Sequence, residues 1–444
     1  MFFVYSILLT LGFLLMSPLF ILRREKYASG FDERLGNYPP FVHDGRPVIW
    51  LHCVSVGETN AARPLVDELK KNFRDHHLVV STTTKTGHEL ARKIFADKTD
   101  AVIYFPFDFK FSVRRAVEHF KPSIVLLMET EIWPRFIREA KQNGSKIAIV
   151  NGRLSERSAS RYALIRPFIS KVLADIDLAL MQGTSDANRL ISLGMQSSKV
   201  QVTGNLKFDL GLVEAEHLIT DELRERFALD GTRPLVVAAS THEPEERYAL
   251  EAFCSAAVNA DPVPRLLIAP RHPERFESIA KFIDQFRADA DNEWRKYTFT
   301  RRSRKGTEDD KHADVILLDT VGELRAVYPL ADVVFVGGSL IPHGGQSILE
   351  PAAAGKAIIT GPYTHNFTDA VRVFLANQAL IQLPETRNEI IVDELFDAIS
   401  DLVEDKDRRH DLGRNALSVM TANRGATAKT LEQLNLLMSR SVRD

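Results

Sequence analysis

A chain of 444 residues is too long for one compact core and is sized for two domains of roughly 150 to 200 residues each. With 45% hydrophobic and 26% charged side chains it is an ordinary folded protein, and its net charge of -2 supplies no global attraction to nucleic acid. The two cysteines, Cys53 and Cys254, lie far apart in apolar segments, which excludes a disulfide framework or a cysteine metal site and fits a reducing compartment.

Met1 to Leu22 carries no charged side chain and then meets Arg23-Arg24-Glu25-Lys26. As a helix this stretch is roughly 33 Å long, enough to cross a hydrocarbon core. A secretory signal carries its positive charge before the apolar run. Here it follows, and the positive-inside rule keeps the body of the protein cytoplasmic. Residues 1–22 are therefore expected to be an uncleaved N-terminal membrane-anchor helix. A helix lying in one leaflet is the alternative, because Gly12 weakens the helix and Pro18 bends it.

From Pro47 apolar runs of strand length alternate with amphipathic segments. The runs Val48 to Val54, Leu78 to Thr82, Ala101 to Phe105, Ile124 to Met128, Lys146 to Val150, Leu178 to Met181 and Val200 to Val202 predict one parallel sheet covered on both faces. Leu235 to Ala239, Arg265 to Ala269, Val315 to Leu318, Val333 to Val336 and Ala357 to Thr360 predict a second. The fold class is α/β, with two doubly wound Rossmann-like domains over residues 23–207 and 233–444. Residues 208–232, where strand signals pause, are expected to be a linker. Arg301 to His312 reads as a solvated charge run. From Val392 the pattern is helical, with the last helix expected to pack back on the first domain.

Open α/β sheets bind ligands at the carboxyl ends of their strands, and the chemically suggestive residues cluster at those ends. In the first domain they are Ser55, Gly57 and Glu58, then Glu129 and Glu131, then Asn205 and Lys207. In the second they are Ser240, Thr241 and His242, then Arg271 and His272. The last is the turn V-G-G-S-L-I-P-H-G-G-Q-S-I-L-E from Val336 to Glu350. Glycines at 337, 338, 344 and 345 let backbone N–H groups approach an anion, and a helix beginning near Gln346 or Ser347, or nearer Ile348 given Pro351, adds its positive end. That predicts a phosphate seat, with the Glu350 carboxylate placed to accept hydrogen bonds from sugar hydroxyls. The dinucleotide and Walker fingerprints are absent, which argues against an ordinary NAD or ATP site. His52 reads as a core residue of its strand. Asp175-Ile176-Asp177 and Asp289-Ala290-Asp291 match the short D-x-D pattern but follow no strand, and His242, His272 and His343 are too scattered in sequence to assert a metal site.

V-S-V-G-E at 54–58, T-G-N-L-K-F-D at 203–209, A-S-T-H-E at 239–243, P-R-H-P-E-R at 270–275 and G-G-S-x-x-x-x-G-G-x-x-x-L-E at 337–350 together resemble the 3-deoxy-D-manno-octulosonic acid (Kdo) transferases of lipopolysaccharide assembly. The resemblance spans nearly the whole chain. It implies the GT-B glycosyltransferase fold, with an acceptor-binding first domain and a nucleotide-sugar-binding second one. It further implies CMP-Kdo as donor, the lipid A precursor as acceptor, and a place at the cytoplasmic face of the cell inner membrane. By resemblance Glu58 is the general base, Arg271 and Glu350 hold the nucleotide, and Gly344, Gly345, Gln346 and Ser347 meet its phosphate. Many relatives carry G-G-H-N where this chain has Gly344-Gly345-Gln346-Ser347, so a changed contact set is expected there.

Breaking a CMP–sugar bond builds positive character on the anomeric carbon and negative charge on the departing phosphate. Backbone N–H groups, Lys207 and Arg271 are candidates to stabilise that charge with no metal or other cofactor. An ionised Glu58 takes the acceptor proton, and direct displacement inverts the anomeric centre. Two other readings stay open at this point. One is a GT-B enzyme acting on a UDP-sugar, similar to a lipid A disaccharide synthase or an epimerase. The other is a non-enzymatic membrane scaffold. The basic residues Arg23 to Lys26 with Arg34 are expected to help hold the anionic acceptor lipid.

Overall fold

The structure, a computed structural model, describes residues 1–22, 29–209, 214–288, 297–387 and 390–439. The chain divides into two compact units, Met1–Leu210 with Asn423–Asp444, and Gly211–Ala422.

The first unit is built on a parallel sheet of β1 (Val48–Cys53), β2 (His77–Thr82), β3 (Ala101–Tyr104), β4 (Pro122–Met128), β5 (Lys146–Gly152), β6 (Leu178–Met181) and β7 (Val200–Val202), in the order β3-β2-β1-β4-β5-β6-β7. Alternation along β1 explains why its sequence is one apolar run. Val48 and Trp50 enter the core on one face, and Ile49, Leu51 and Cys53 enter the core on the other. Each such buried side chain contributes about 1.5–3 kcal/mol. The helix Ala426–Ser439 belongs to this unit. Asp209 starts it by accepting the N–H groups of Gly425 (2.7 Å) and Thr427 (2.6 Å).

The second unit repeats the plan with β8 (Leu235–Thr241), β9 (Arg265–Pro270), β10 (Phe299–Arg301), β11 (Val315–Leu317), β12 (Val333–Val336), β13 (Ala357–Thr360) and β14 (Ile381–Gln382), in the order β10-β11-β9-β8-β12-β13-β14. The helices Glu245–Asn259 and Ile391–Glu404 pack over one face of this sheet. The expected linker is largely a helix, Glu214–Phe227. Thr220 is bonded to the Ala326 carbonyl and Glu216 is paired with Arg325, so it belongs to this unit. The expected solvated run at 301–312 holds for 303–309, 311 and 312, which are exposed, and is corrected at three positions. Arg301 pairs with Asp319 and Glu277, Arg302 with Glu323 and Glu222, and buried Asp310 with Arg226.

The expected anchor is not confirmed. Phe2–Leu22 is a helix, yet among the described residues no helix is long and apolar enough to cross a membrane. Its first half is instead docked on the first unit. The Tyr5 hydroxyl donates to Asp108 (2.7 Å), Arg135 reaches the Ser6 hydroxyl and the Phe2 carbonyl, Tyr5 stacks on Phe168, and Phe2 and Phe13 meet Phe168, Phe107 and Phe109 edge to face. The basic cluster Arg23 to Lys26 lies outside the described residues.

Candidate active site

In the first sheet the strand order reverses between β1 and β4, and the turns that follow these two strands carry the carboxylates. Ser55 caps the short helix Val56–Ala61 that leaves β1. The Ser55 hydroxyl donates to Glu58 Oε1 (3.1 Å) and the Val54 N–H donates to Oε2 (2.7 Å), so the Glu58 carboxyl is turned back over the strand end. It is buried, and its pKa rises to about 8 because burial disfavours the charge and Glu129 and Glu131 repel it, against the Val54 and Ser55 hydrogen bonds. The ionised Glu58 expected from the sequence is thus corrected to a carboxyl that stays largely protonated until mildly alkaline pH. Gly57 is exposed, and a Cβ there would meet only the Ser55 hydroxyl oxygen at 3.8 Å, an ordinary contact, so nothing steric requires glycine.

Glu129 and Glu131 follow β4. Glu129 adopts a left-handed backbone (φ 53°) and meets Lys207 Nζ at 3.4 Å. Burial and Glu129 raise the pKa of Glu131. Neither caps the helix Pro134–Gln142, whose start has no side-chain cap. Asn205 anchors the loop carrying Lys207. It donates to Gln182 and accepts the Lys207 N–H, and buried Asn151, also left-handed, accepts the Leu206 N–H. Such backbone costs roughly 1–3 kcal/mol per residue and persists where the surroundings impose it. Sequence reading gathered Glu58, Glu129, Glu131 and Lys207 onto one rim, and all four lie on the first unit.

The second sheet reverses between β8 and β12, and the same rule holds. Ser240, left-handed at φ 53°, and Thr241 end β8. The Thr241 hydroxyl is fully buried against Glu246 (3.0 Å), which holds the turn together. His242 follows, with ring centroids 4.2 Å from His343 and 5.1 Å from His272. Burial, the two histidines and Arg271 push its pKa down to about 4. The neutral ring meets the Gln346 side-chain amide at Nε2 (3.2 Å). Arg271 and His272 are exposed at the end of β9, where the Arg271 N–H is bonded to the Thr241 carbonyl.

The glycine-rich turn after β12 differs from the expected phosphate seat in its first half. The N–H groups of Gly338, Ser339 and Leu340 all point at the Glu245 carboxylate, an anion of the protein itself. The Gly345 and Gln346 N–H groups close the turn on the Gly338 and Gly337 carbonyls. Gly344 sits at φ 102°, a backbone that side chains rarely adopt, and a Cβ there would fall 2.5 Å from the Asn366 amide. The helix is short, Leu349–Ala353, with Glu350 half-buried in its first turn, and its late start is the effect anticipated from Pro351. That leaves the side chains of Gln346 and Ser347, with Arg271 and the histidines, as the candidates to meet a ligand.

Several expectations resolve as structural. His52 is buried against Ser81 and Phe105, with its pKa lowered by burial to about 3. Asp175 pairs with Arg138 and Asp177 with Lys141, while Asp289 to Asp291 lies outside the described residues. Arg34 donates to the Ser29 and Thr83 carbonyls and lies over Tyr104. Among the described residues no group of three or more His, Cys, Asp or Glu is arranged to hold a metal ion. Sequence reasoning missed Glu245 and Glu246, whose signal was two acidic residues at a helix start directly behind a rim loop.

The family model described as 3-Deoxy-D-manno-octulosonic-acid transferase (kdotransferase) matches residues 29–210. The chain is 33% identical over 420 residues to a 3-deoxy-D-manno-octulosonic acid transferase of Haemophilus influenzae, covering 95% of this chain and 94% of that protein. This chain belongs to the Kdo transferase family. A second relative, from Bordetella pertussis, carries the same name and is 34% identical over 394 residues, covering 87% of this chain and 86% of that protein. Membership makes the protein a glycosyltransferase of lipopolysaccharide biosynthesis and overturns the scaffold reading. The structure also resembles a UDP-GlcNAc 2-epimerase of Neisseria meningitidis (TM-score 0.56, 14% identity, 87% of this chain and 99% of that one). At that identity the likeness speaks for the GT-B-like fold alone, and the UDP-sugar reading gains nothing from it.

Proposed function

We propose that this Kdo transferase moves Kdo from CMP-Kdo to the lipid A precursor by direct displacement, inverting the anomeric centre, without a metal. The observation that carries the reading is the Glu58 carboxyl, held at a strand end beside Glu129 and Glu131 with a pKa near 8. A base needs a proton affinity near the working pH, and this one is raised to that range by burial and neighbouring charge.

In this mechanism Glu58 takes the proton from an acceptor hydroxyl as that oxygen attacks the anomeric carbon. Proton removal of this kind contributes about 10²–10⁴-fold. Ser55 and the Val54 N–H hold the carboxyl in place, and Lys207 offsets the charge of Glu129. The bond from the anomeric carbon to the CMP phosphate breaks with its electron pair going to the phosphate oxygen. Arg271, His272, Gln346 and Ser347 meet that charge, and Glu350 holds the nucleotide.

The acceptor is a lipid, and the docked helix Phe2–Leu22 exposes Phe3, Val4, Ile7, Leu8, Leu11, Leu14 and Leu15. We assign this face to one leaflet of the inner membrane at its cytoplasmic side, in place of a span. The test incubates purified protein with CMP-Kdo generated in situ and lipid A precursor and weighs the product. A mass increase of Kdo units, unchanged by a chelator, supports the reading. Protection against thermal unfolding by UDP in preference to CMP refutes it.

A further inference from the structure

Glu245 is fully buried at the start of the helix Glu245–Asn259, and its carboxylate accepts four main-chain N–H groups. Oε2 takes those of His242 (2.9 Å) and Gly338 (2.6 Å), and Oε1 takes those of Ser339 and Leu340 (both 3.0 Å). One donor comes from the turn after β8 and three from the turn after β12. The approach is close enough that a Cβ at Gly337 would fall 2.7 Å from Thr241 Cα and 2.9 Å from Glu245 Oε2.

Glu246 extends the arrangement. It accepts the Thr241 hydroxyl and takes both guanidinium nitrogens of Arg275 (2.7 and 3.0 Å), fastening the loop after β9 that carries Arg271 and His272. Three strand-end loops that bear the candidate donor contacts are thus tied to two adjacent carboxylates.

We propose that Glu245 is a positioning residue for donor binding, an internal anion that fills the first half of the glycine-rich turn and sets the placement of His242 and of the 344–347 segment. The proposal rests on the reading of this rim as the CMP-Kdo site. Burial raises the pKa of Glu245 and its four N–H partners pull it down; ionised, the carboxylate presents only acceptors to those four donors. An amide presents one oxygen and an NH2, and that NH2 faces two N–H groups. The turn must then open around it.

The test uses the full-length enzyme and its Glu245→Gln variant, with CMP affinity by calorimetry, steady-state kinetics against each substrate, and thermal unfolding. Folded Glu245→Gln is expected to bind CMP about tenfold more weakly or worse, the effect of losing about one hydrogen bond to a charged group. Donor KM rises in proportion while acceptor KM stays within about twofold. A role confined to stability lowers the melting temperature but leaves the KM of the folded enzyme alone, so donor KM and CMP affinity within about twofold of wild type overturn the proposal. If Glu245→Gln does not fold, Glu245→Asp keeps the charge and withdraws it by one methylene. The same rise in donor KM is expected, and its absence is the overturning result. Wild-type enzyme that fails to bind CMP overturns the site reading itself, and the proposal with it.

Discussion

Replacing Glu58 with Gln separates the catalytic role of this carboxyl from the stability it costs the fold. The gap between a pKa of about 8 and the ordinary 4.5, at about 1.4 kcal/mol per pH unit, is about 5 kcal/mol in favour of the protonated form. The folded value lies above the unfolded one, so the stabilising contribution is complete below pH 4.5 and is lost as pH rises through about 8. Wild type should therefore lose about 1.4 kcal/mol per pH unit across this window relative to Glu58→Gln, a variant that cannot ionise yet keeps an oxygen for the Val54 N–H. By about pH 9 the variant should be the more stable protein by up to about 5 kcal/mol, while its kcat falls by about 10²–10⁴. Urea unfolding of both proteins at several pH values gives the difference in slope, and kcat/KM of wild type should rise with an apparent pKa near 8. Parallel stability curves, or a wild-type rate flat across that range, would refute the burial argument.

Four further outcomes are expected. Glu129→Gln removes the larger of the two neighbouring charges on Glu58, so the alkaline rise of kcat/KM should move to lower pH; an unmoved midpoint would show the two groups uncoupled. His52 has a folded pKa near 3, below its ordinary 6.5, so the stability it confers is present above 6.5 and is lost as pH falls toward 3. His52→Gln should flatten that acid limb in urea titrations, and identical limbs would count against a neutral buried imidazole. Asp209→Ala removes the acceptor of two N–H groups at the start of Ala426–Ser439 and should cost about 1–2 kcal/mol, read as faster hydrogen exchange at residues 425–427. Leu8→Asp with Leu15→Asp should reduce co-sedimentation with anionic vesicles without changing the melting temperature, since both side chains are exposed; unchanged co-sedimentation would remove the membrane assignment from this helix.

The fold was legible where burial on both faces of a sheet writes an uninterrupted apolar run, as in Val48–Cys53 or Val333–Val336. It was not legible in β10 and β14. These are edge strands, Phe299–Arg301 with a single apolar residue and Ile381–Gln382 of two residues, and neither carries an apolar run or alternation. Glu214–Phe227 read as linker because its sequence is polar, and its place depends on Thr220 and Glu216 finding partners about a hundred residues later. The position of the candidate residues beyond strand ends was legible. Their chemical state was not. The protonation of Glu58 depends first on its burial and then on the charges of Glu129 and Glu131, and the carboxylate in the glycine-rich turn comes from 93 residues before Gly338.

The two units solve one local problem in two ways, and the difference explains why one glutamate is assigned to chemistry and the other to positioning. In each, the strand beside the switch point runs into a turn, and a glutamate in the first turn of the next helix folds back to accept an N–H of that turn, Val54 for Glu58 and His242 for Glu245. Glu245 then receives three more N–H groups, so each oxygen already holds two donors and an incoming proton must displace one. Glu58 receives a single N–H and one hydroxyl, and the hydroxyl of Ser55 can turn away when Oε1 takes up a proton. A carboxyl with one freely yielding partner can exchange a proton with a substrate, whereas one with four fixed partners can only hold a shape. Reactivity at these strand ends is therefore set by how many main-chain donors the neighbouring loop brings to the glutamate.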